Sequence, residues 1–285
     1  MSENHPINDL SPGQVLRFYL DAGVDETTGS HPLDRYALSE ASAKAPKPTR
    51  PAVAVSPPKA SAGAQRPGAA ASAASKGVPS SVAGQSAAIA AAAAKSLEEL
   101  KAAVEAFDGC ALKSTAKSTV FADGNPAGRL MVLGEAPGSD EDRQGLPFMG
   151  VSGKLLDLML DSIGYSRETA YLTNVIPWRP PGNRNPTPEE VALCVPFLER
   201  HVALVKPEVI LMVGGLSAKT LLNRPEGITR LRGRWESVNT AGLGQPIPGV
   251  ATFHPTYLLR SPQQKRLAWR DLLAVKEKLD SLASA

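Results

Sequence analysis

The chain has 285 residues, a net charge of +3 and two cysteines. That length suits one medium α/β domain with extra segments or two small domains, and two cysteines exclude a disulfide framework or a four-thiolate metal site. A small positive surplus selects no partner by itself, so the placement of the charges matters more than their sum. The polar N-terminus, MSENHPINDL, has no signal-peptide pattern, and no apolar run reaches the roughly 18 residues of a membrane span. The expectation is a cytoplasmic protein with no membrane contact, in which Cys110 and Cys194 are reduced and packed.

In chain order, LSPGQVLRFYLDAGVD (residues 10–25) predicts a short helix within an N-terminal segment, 1–40. Ser11 caps it, Pro12 suits its first turn, and Val15, Leu16, Tyr19 and Leu20 share one face. Residues 41–95 are Ala, Pro, Ser, Gly and Lys with almost no large apolar side chain, so they predict a disordered linker. A folded domain, 96–285, starts at SLEEL, a capping box of Ser96 and Glu99. Apolar runs LMVLG, AYLTNV, EVILMVG and GVATF then alternate with amphipathic helices, one of them capped at Thr187. Such alternation predicts an α/β fold whose mostly parallel sheet is covered on both faces. In such a sheet the site lies beyond the C-terminal strand ends, which puts GEAPG, TNV and FHPTY at one rim.

Each candidate at that rim has two readings. Glu135 is either a turn carboxylate bonded to a helix N-terminus or an acid beside a neutral or cationic group, because Asp140, Glu141 and Asp142 would repel phosphate there. Asn174 either satisfies loop backbone or offers one acceptor and two donors to the imide edge of a pyrimidine. His254, held extended by Pro255, is structural or a donor. Phe148, between turn residues in LPFMG, is core or an aromatic wall. Arginines recur in WRPPGNRNP (Arg179, Arg184), TRLRGRW (Arg230, Arg232, Arg234) and after FHPTYLLR (Arg260, Lys265, Arg266, Arg270). They form either a solvated face or a grip on phosphates, with Tyr257, Leu258 and Leu259 as an apolar wedge.

Three stretches, VLGEAPGSDEDRQGLPFMGVSGKLLDLML, YLTNVIPWRPPGNRNPTPEEVALC and FHPTYLLR, in this order and spacing resemble the family 4 uracil-DNA glycosylases over about residues 96–282. The resemblance implies a three-layer α/β/α fold on a four-stranded, mostly parallel sheet. It implies a repair glycosylase that flips uracil out of DNA and hydrolyses its N-glycosidic bond, with a non-catalytic uracil- or abasic-site-binding protein and a small-phosphate α/β enzyme as the rival readings. By the same resemblance Glu135 positions the attacking water, His254 faces a uracil carbonyl, and Glu141 joins the catalytic set. Phe148 stacks on uracil, Asn174 reads its edge, and Gly134 and Asn183 complete the uracil-binding set. Arg179, Arg184, Arg232, Arg234, Tyr257, Leu258, Leu259, Arg260, Lys265 and Arg266 are the DNA-binding set. Family members hold a [4Fe–4S] cluster on four cysteines; here two positions match Cys110 and Cys194, but the others are Phe107 and Trp178, so the expectation is no cluster and no cofactor. The expected partner is uracil-containing DNA at the nucleoid, met by a monomer, with a repair or replication protein on the N-terminal helix.

Overall fold

A computed structural model of the chain describes residues 82–284. The predicted helix over 10–25, its partner and most of the linker lie outside the described residues. The end of the linker does not follow expectation. Val82–Ala93 form a helix, α1, in which Ala87 and Ala91 are buried. Its small side chains let it lie close to the domain, and Arg200 Nε donates to the carbonyl of Ala94 at 2.8 Å just past its end. The folded unit therefore begins before residue 96.

The chain continues through α2 (Leu97–Ala106), α3 (Leu112–Thr115), β1 (Ala122–Gly124), β2 (Leu130–Gly134), α4 (Ser139–Gln144), α5 (Val151–Asp161) and β3 (Ala170–Asn174). Next come α6 (Pro188–Val205), β4 (Val209–Val213), α7 (Gly215–Leu222), α8 (Ile228–Leu231), β5 (Trp235–Val238), β6 (Ile247–Thr252), α9 (Pro255–Arg260) and α10 (Lys265–Ala283). The predicted caps are present. Glu99 N–H donates to Ser96 Oγ at 3.2 Å, and Glu190 N–H to Thr187 Oγ1 at 3.3 Å while Glu190 Oε2 accepts from Thr187 N–H.

The six strands lie in the order β1-β3-β2-β4-β6-β5. The four central strands are parallel, as expected, and β1 and β5 add an antiparallel strand at each edge. A sheet of four strands is thus corrected to six. The edge strands escape sequence reading because ADG and WESV are short and mostly half-exposed, without the continuous apolar run of a strand buried on both faces. Alternation then sorts the core into two layers. Met131, Leu133, Ile210 and Met212 face α1, α2, α6 and α7, while Leu130, Val132, Leu211 and Val250 face α5 and α10. No helix among the described residues is long and apolar enough to cross a membrane.

Candidate active site

The C-terminal ends of β2, β3, β4 and β6 open on one cavity of about 770 Å³, and Glu135, Glu141, Phe148, Asn174, Asn183 and His254 line it together. Register brings the first pair together: Gly134 and Asn174 are partners across β2 and β3. Gly134 is not itself on the cavity wall; it lies against Asn174 and Phe148, which are, and has no room for a side chain. A Cβ there would overlap Asn174 Oδ1 and the Phe148 ring. Asn174 is buried, and its amide has no hydrogen-bond partner among the described residues, so its acceptor and donors face the cavity.

Phe148 sits at φ 57°, a left-handed conformation that an aromatic residue rarely adopts. Only 5% of its surface is exposed. Arg167 holds this backbone: it donates to the carbonyls of Pro147 and Phe148 and pairs with Asp123 (2.6 Å) and Asp157 (2.9 Å). The ring lies 6.3 Å from the His254 ring, at an interplanar angle of 28°.

His254 lies two residues beyond the end of β6 and caps α9. Its Nδ1 accepts from Thr256 N–H at 3.2 Å. A ring nitrogen that accepts carries no proton, so the neutral imidazole has its proton on Nε2. Burial holds its pKa below the ordinary value; the charges of Glu135 and Glu141 oppose that shift and Arg260 adds to it. Glu135 follows β2 directly. Its Oε1 accepts from Leu216 N–H at 2.9 Å in the first turn of α7, and Gly214, at φ +110°, leaves the space its carboxylate fills. The first reading of Glu135 holds, since it is bonded to a helix N-terminus; its Oε2 has no hydrogen-bond partner among the described residues.

Glu141, expected among the catalytic groups, has both oxygens committed. Oε1 accepts from Met149 N–H (2.8 Å) and Gly150 N–H (3.1 Å), and Oε2 from Gly138 N–H (3.0 Å). It is a post that ties the two walls of the site rather than a group free to react. Its neighbours are engaged too. Asp142 Oδ1 accepts from Lys117 and Ser118 N–H, and Asp140 pairs with Arg143 at 2.7 Å. The acidic run is therefore engaged with the backbone and cations around it. Asn183 Oδ1 accepts from Arg179 Nε at 2.7 Å on the cavity wall.

The predicted DNA-binding set divides. Leu258 is 1% exposed and packs in the core with α5 and α10, so it is not a wedge; Leu259, at 40%, is on the surface, as is Tyr257. Arg232 is not a free cation either. It pairs with buried Asp271, donates to the Leu267 carbonyl at 2.7 Å and lies over the Phe253 ring. Arg184 makes a two-pronged pair with Glu190 at 2.8 and 2.6 Å. Arg234, Arg260, Lys265 and Arg266 are exposed, with no carboxylate partner among the described residues. The Arg232–Asp271 link escapes sequence reading because its partners are 39 residues apart.

Cys110 and Cys194 are buried free thiols that share a hydrogen bond, and that bond, with burial behind it, pushes the Cys194 thiol well above its usual range. The two remaining positions of a four-thiolate set are filled by rings. Trp178 is fully buried with its indole N–H on Thr119 Oγ1 at 3.0 Å, and Phe107 packs edge-on against Phe197. Two thiols and two aromatic side chains that offer no ligand to iron do not fit a [4Fe–4S] cluster, and among the described residues no group of three or more His, Cys, Asp or Glu side chains could hold a metal ion.

A sequence model of the uracil DNA glycosylase superfamily matches residues 121–273, a span that contains every wall of this cavity. The type-4 uracil-DNA glycosylase of Archaeoglobus fulgidus is 38% identical over 173 residues, 59% of this chain and 86% of that protein. The type-4 enzymes of Saccharolobus solfataricus (35% over 191 residues, 65% and 88%) and Thermotoga maritima (36% over 183 residues, 63% and 93%) are similar to it as well. On these grounds the chain belongs to the uracil DNA glycosylase superfamily.

Proposed function

We propose that this protein is a monofunctional uracil-DNA glycosylase that flips uracil out of DNA and hydrolyses its N-glycosidic bond. The observation that carries the reading is the cavity itself, where an acid, an aromatic ring, an unpartnered amide and a neutral imidazole face one space. C1′ of the nucleotide is out of reach inside a duplex, so extrusion at a cost of a few kcal/mol precedes chemistry. Phe148 supplies a face for the base, and the Asn174 amide matches its imide edge with an acceptor and donors.

As the C1′–N1 bond breaks, its electron pair passes to uracil and positive charge grows on the sugar. His254 Nε2–H donates to the carbonyl oxygen where negative charge collects, which favours the transition state over the bound substrate. The neutral imidazole can do this because Nδ1, which accepts from Thr256 N–H, leaves the ring's one proton on Nε2. Glu135, held by the Leu216 amide, keeps Oε2 for the water that adds to C1′ and stabilises the sugar cation; the water's proton leaves through this carboxylate. Glu141 and Arg167 act by position, fixing the loop that carries Phe148. Exposed Arg234, Arg260, Lys265 and Arg266 hold phosphates, and Leu259 fills the gap left by the base.

The enzyme works without an iron–sulfur cluster, as a monomer in the cytoplasm, and starts base excision repair at the nucleoid. Purified protein with no added metal should release uracil from a uracil-containing oligonucleotide and leave an alkali-labile abasic site. Tight binding of such DNA with no base release under any condition would replace this reading with that of a lesion-binding protein.

A further inference from the structure

The first half of α10 carries an exposed face that the cavity does not use. Arg266, Trp269, Arg270 and Leu273 stand three and four residues apart, so they form one contiguous patch on the helix. Trp269 is 42% exposed and Leu273 43%, and Trp269 has no aromatic or cationic partner among the described residues. Packing accounts for the opposite face, Ala268, Leu272, Val275 and Leu279, and leaves this one over. Lys265, Arg266 and Arg270 also lack carboxylate partners, and the nearest acid, Asp271, is buried on Arg232. Cations in the first turn of a helix oppose its dipole, and α10 has no acid there to offset them, so helix stability does not explain them. The exposed acids of the helix, Glu277 and Asp280, come later.

An exposed indole among unpaired cations fits a strand whose bases are free to stack and whose phosphates lie alongside. The patch follows the site closely along the chain. Arg260 and Tyr257 line the cavity, and only the turn 261–264 separates them from Lys265. We propose that this face of α10 binds single-stranded DNA flanking the extruded nucleotide, with Trp269 as a stacking platform and Arg266 and Arg270 on phosphates. This rests on the reading of the protein as a DNA enzyme, but binding at the patch is separable from catalysis.

The test is the affinity of the full chain for thymidine oligonucleotides without uracil, read by fluorescence anisotropy. Trp269→Ala should weaken binding to a strand of roughly twenty nucleotides by about five-fold or more, and Trp269→Phe should restore most of it. Arg270→Ala should flatten the dependence of log affinity on log salt by about 0.7. Uracil release from a strand of about four nucleotides, too short to span cavity and patch, should be unchanged in Trp269→Ala. Equal affinities for wild type and Trp269→Ala, or an equal loss on fully paired duplex, would overturn the proposal. Absence of uracil release from every substrate, with the length-dependent binding intact, would overturn the glycosylase reading and leave this one standing.

Discussion

Glu135 and Leu216 are 81 residues apart in the chain, and the Leu216 amide donates to Glu135 Oε1 at 2.9 Å. The bond uses an N–H in the first turn of α7, where the helix has donors to spare and a partial positive charge. It fixes one carboxylate oxygen, and the other has no hydrogen-bond partner among the described residues. Gly214 makes this possible, since any side chain there would occupy the carboxylate's place. Gly214→Ala should therefore lower the rate of uracil release by about 100-fold, the cost of misplacing a reacting group by an ångström. Single-turnover rates check this, with DNA affinity expected to stay within a few-fold.

Arg167 should matter to the site without touching substrate. It joins Asp123, Asp157 and the Pro147 and Phe148 carbonyls, so Arg167→Ala leaves two carboxylates and two carbonyls short of a donor. We expect a loss of about 3 kcal/mol in stability, near the low end for breaking a buried pair because the guanidinium is 24% exposed. Thermal melting should drop by several degrees. Arg167→Lys keeps a charge but not the planar fork, and should recover stability better than it recovers KM for uracil DNA.

Leu258 and Leu259 are neighbours with opposite environments, and substitution should separate them. Leu258→Ala should cost about 2–5 kcal/mol of stability, as for a buried leucine. Leu259→Ala should leave melting unchanged and slow uracil release from duplex more than from single strands. Equal melting losses would contradict the buried and exposed placements.

Acid should destabilise the fold through His201. This residue is buried against Phe121, shares a 2.8 Å hydrogen bond with Tyr171 Oη, and burial lowers its pKa to about 3. The folded-state pKa lies below the unfolded one, so below about pH 6.5 the unfolded chain takes up a proton that the folded chain refuses. Stability is full above that pH and should fall by about 1.4 kcal/mol per unit as pH drops toward 3. His254, also lowered by burial, adds to the same slope. Denaturant titrations from pH 7 to pH 4 check this, and His201→Gln should flatten the acid limb.

Much of this molecule is legible in its sequence where the signal is local. LMVLG, AYLTN and VILMV announce central strands because side chains buried on both faces leave no polar alternation. Strand ends followed by GEAPG and FHPTY then mark the site. What escapes is carried by partners far along the chain or by small residues. The helix VAGQSAAIAAAA has no large side chain on its core face, since Val82 and Ile89 are exposed, yet Ala87 and Ala91 are fully packed. Nothing local to DED indicates that Glu141 holds Met149 and Gly150, or that Asp142 holds Lys117. The same limit hides which arginines are already neutralised. Arg184 and Arg232 read like Arg260 until Glu190 and Asp271 are seen beside them.

The two thiols carry a separate expectation. Protein purified under anaerobic conditions should contain neither stoichiometric iron nor acid-labile sulfide, because Phe107 and Trp178 occupy the positions of the missing ligands. Iron at four atoms per chain would contradict this.

The central claim is that Glu135 and His254 act on the transition state of uracil release in one cavity. Single-turnover release of uracil from an oligonucleotide, compared among wild type, Glu135→Gln and His254→Ala, tests it most directly. The account predicts release by wild type without added metal and a loss of about 100-fold or more in each variant, with binding of uracil DNA within a few-fold. Full activity in both variants, or no release by wild type, would contradict it.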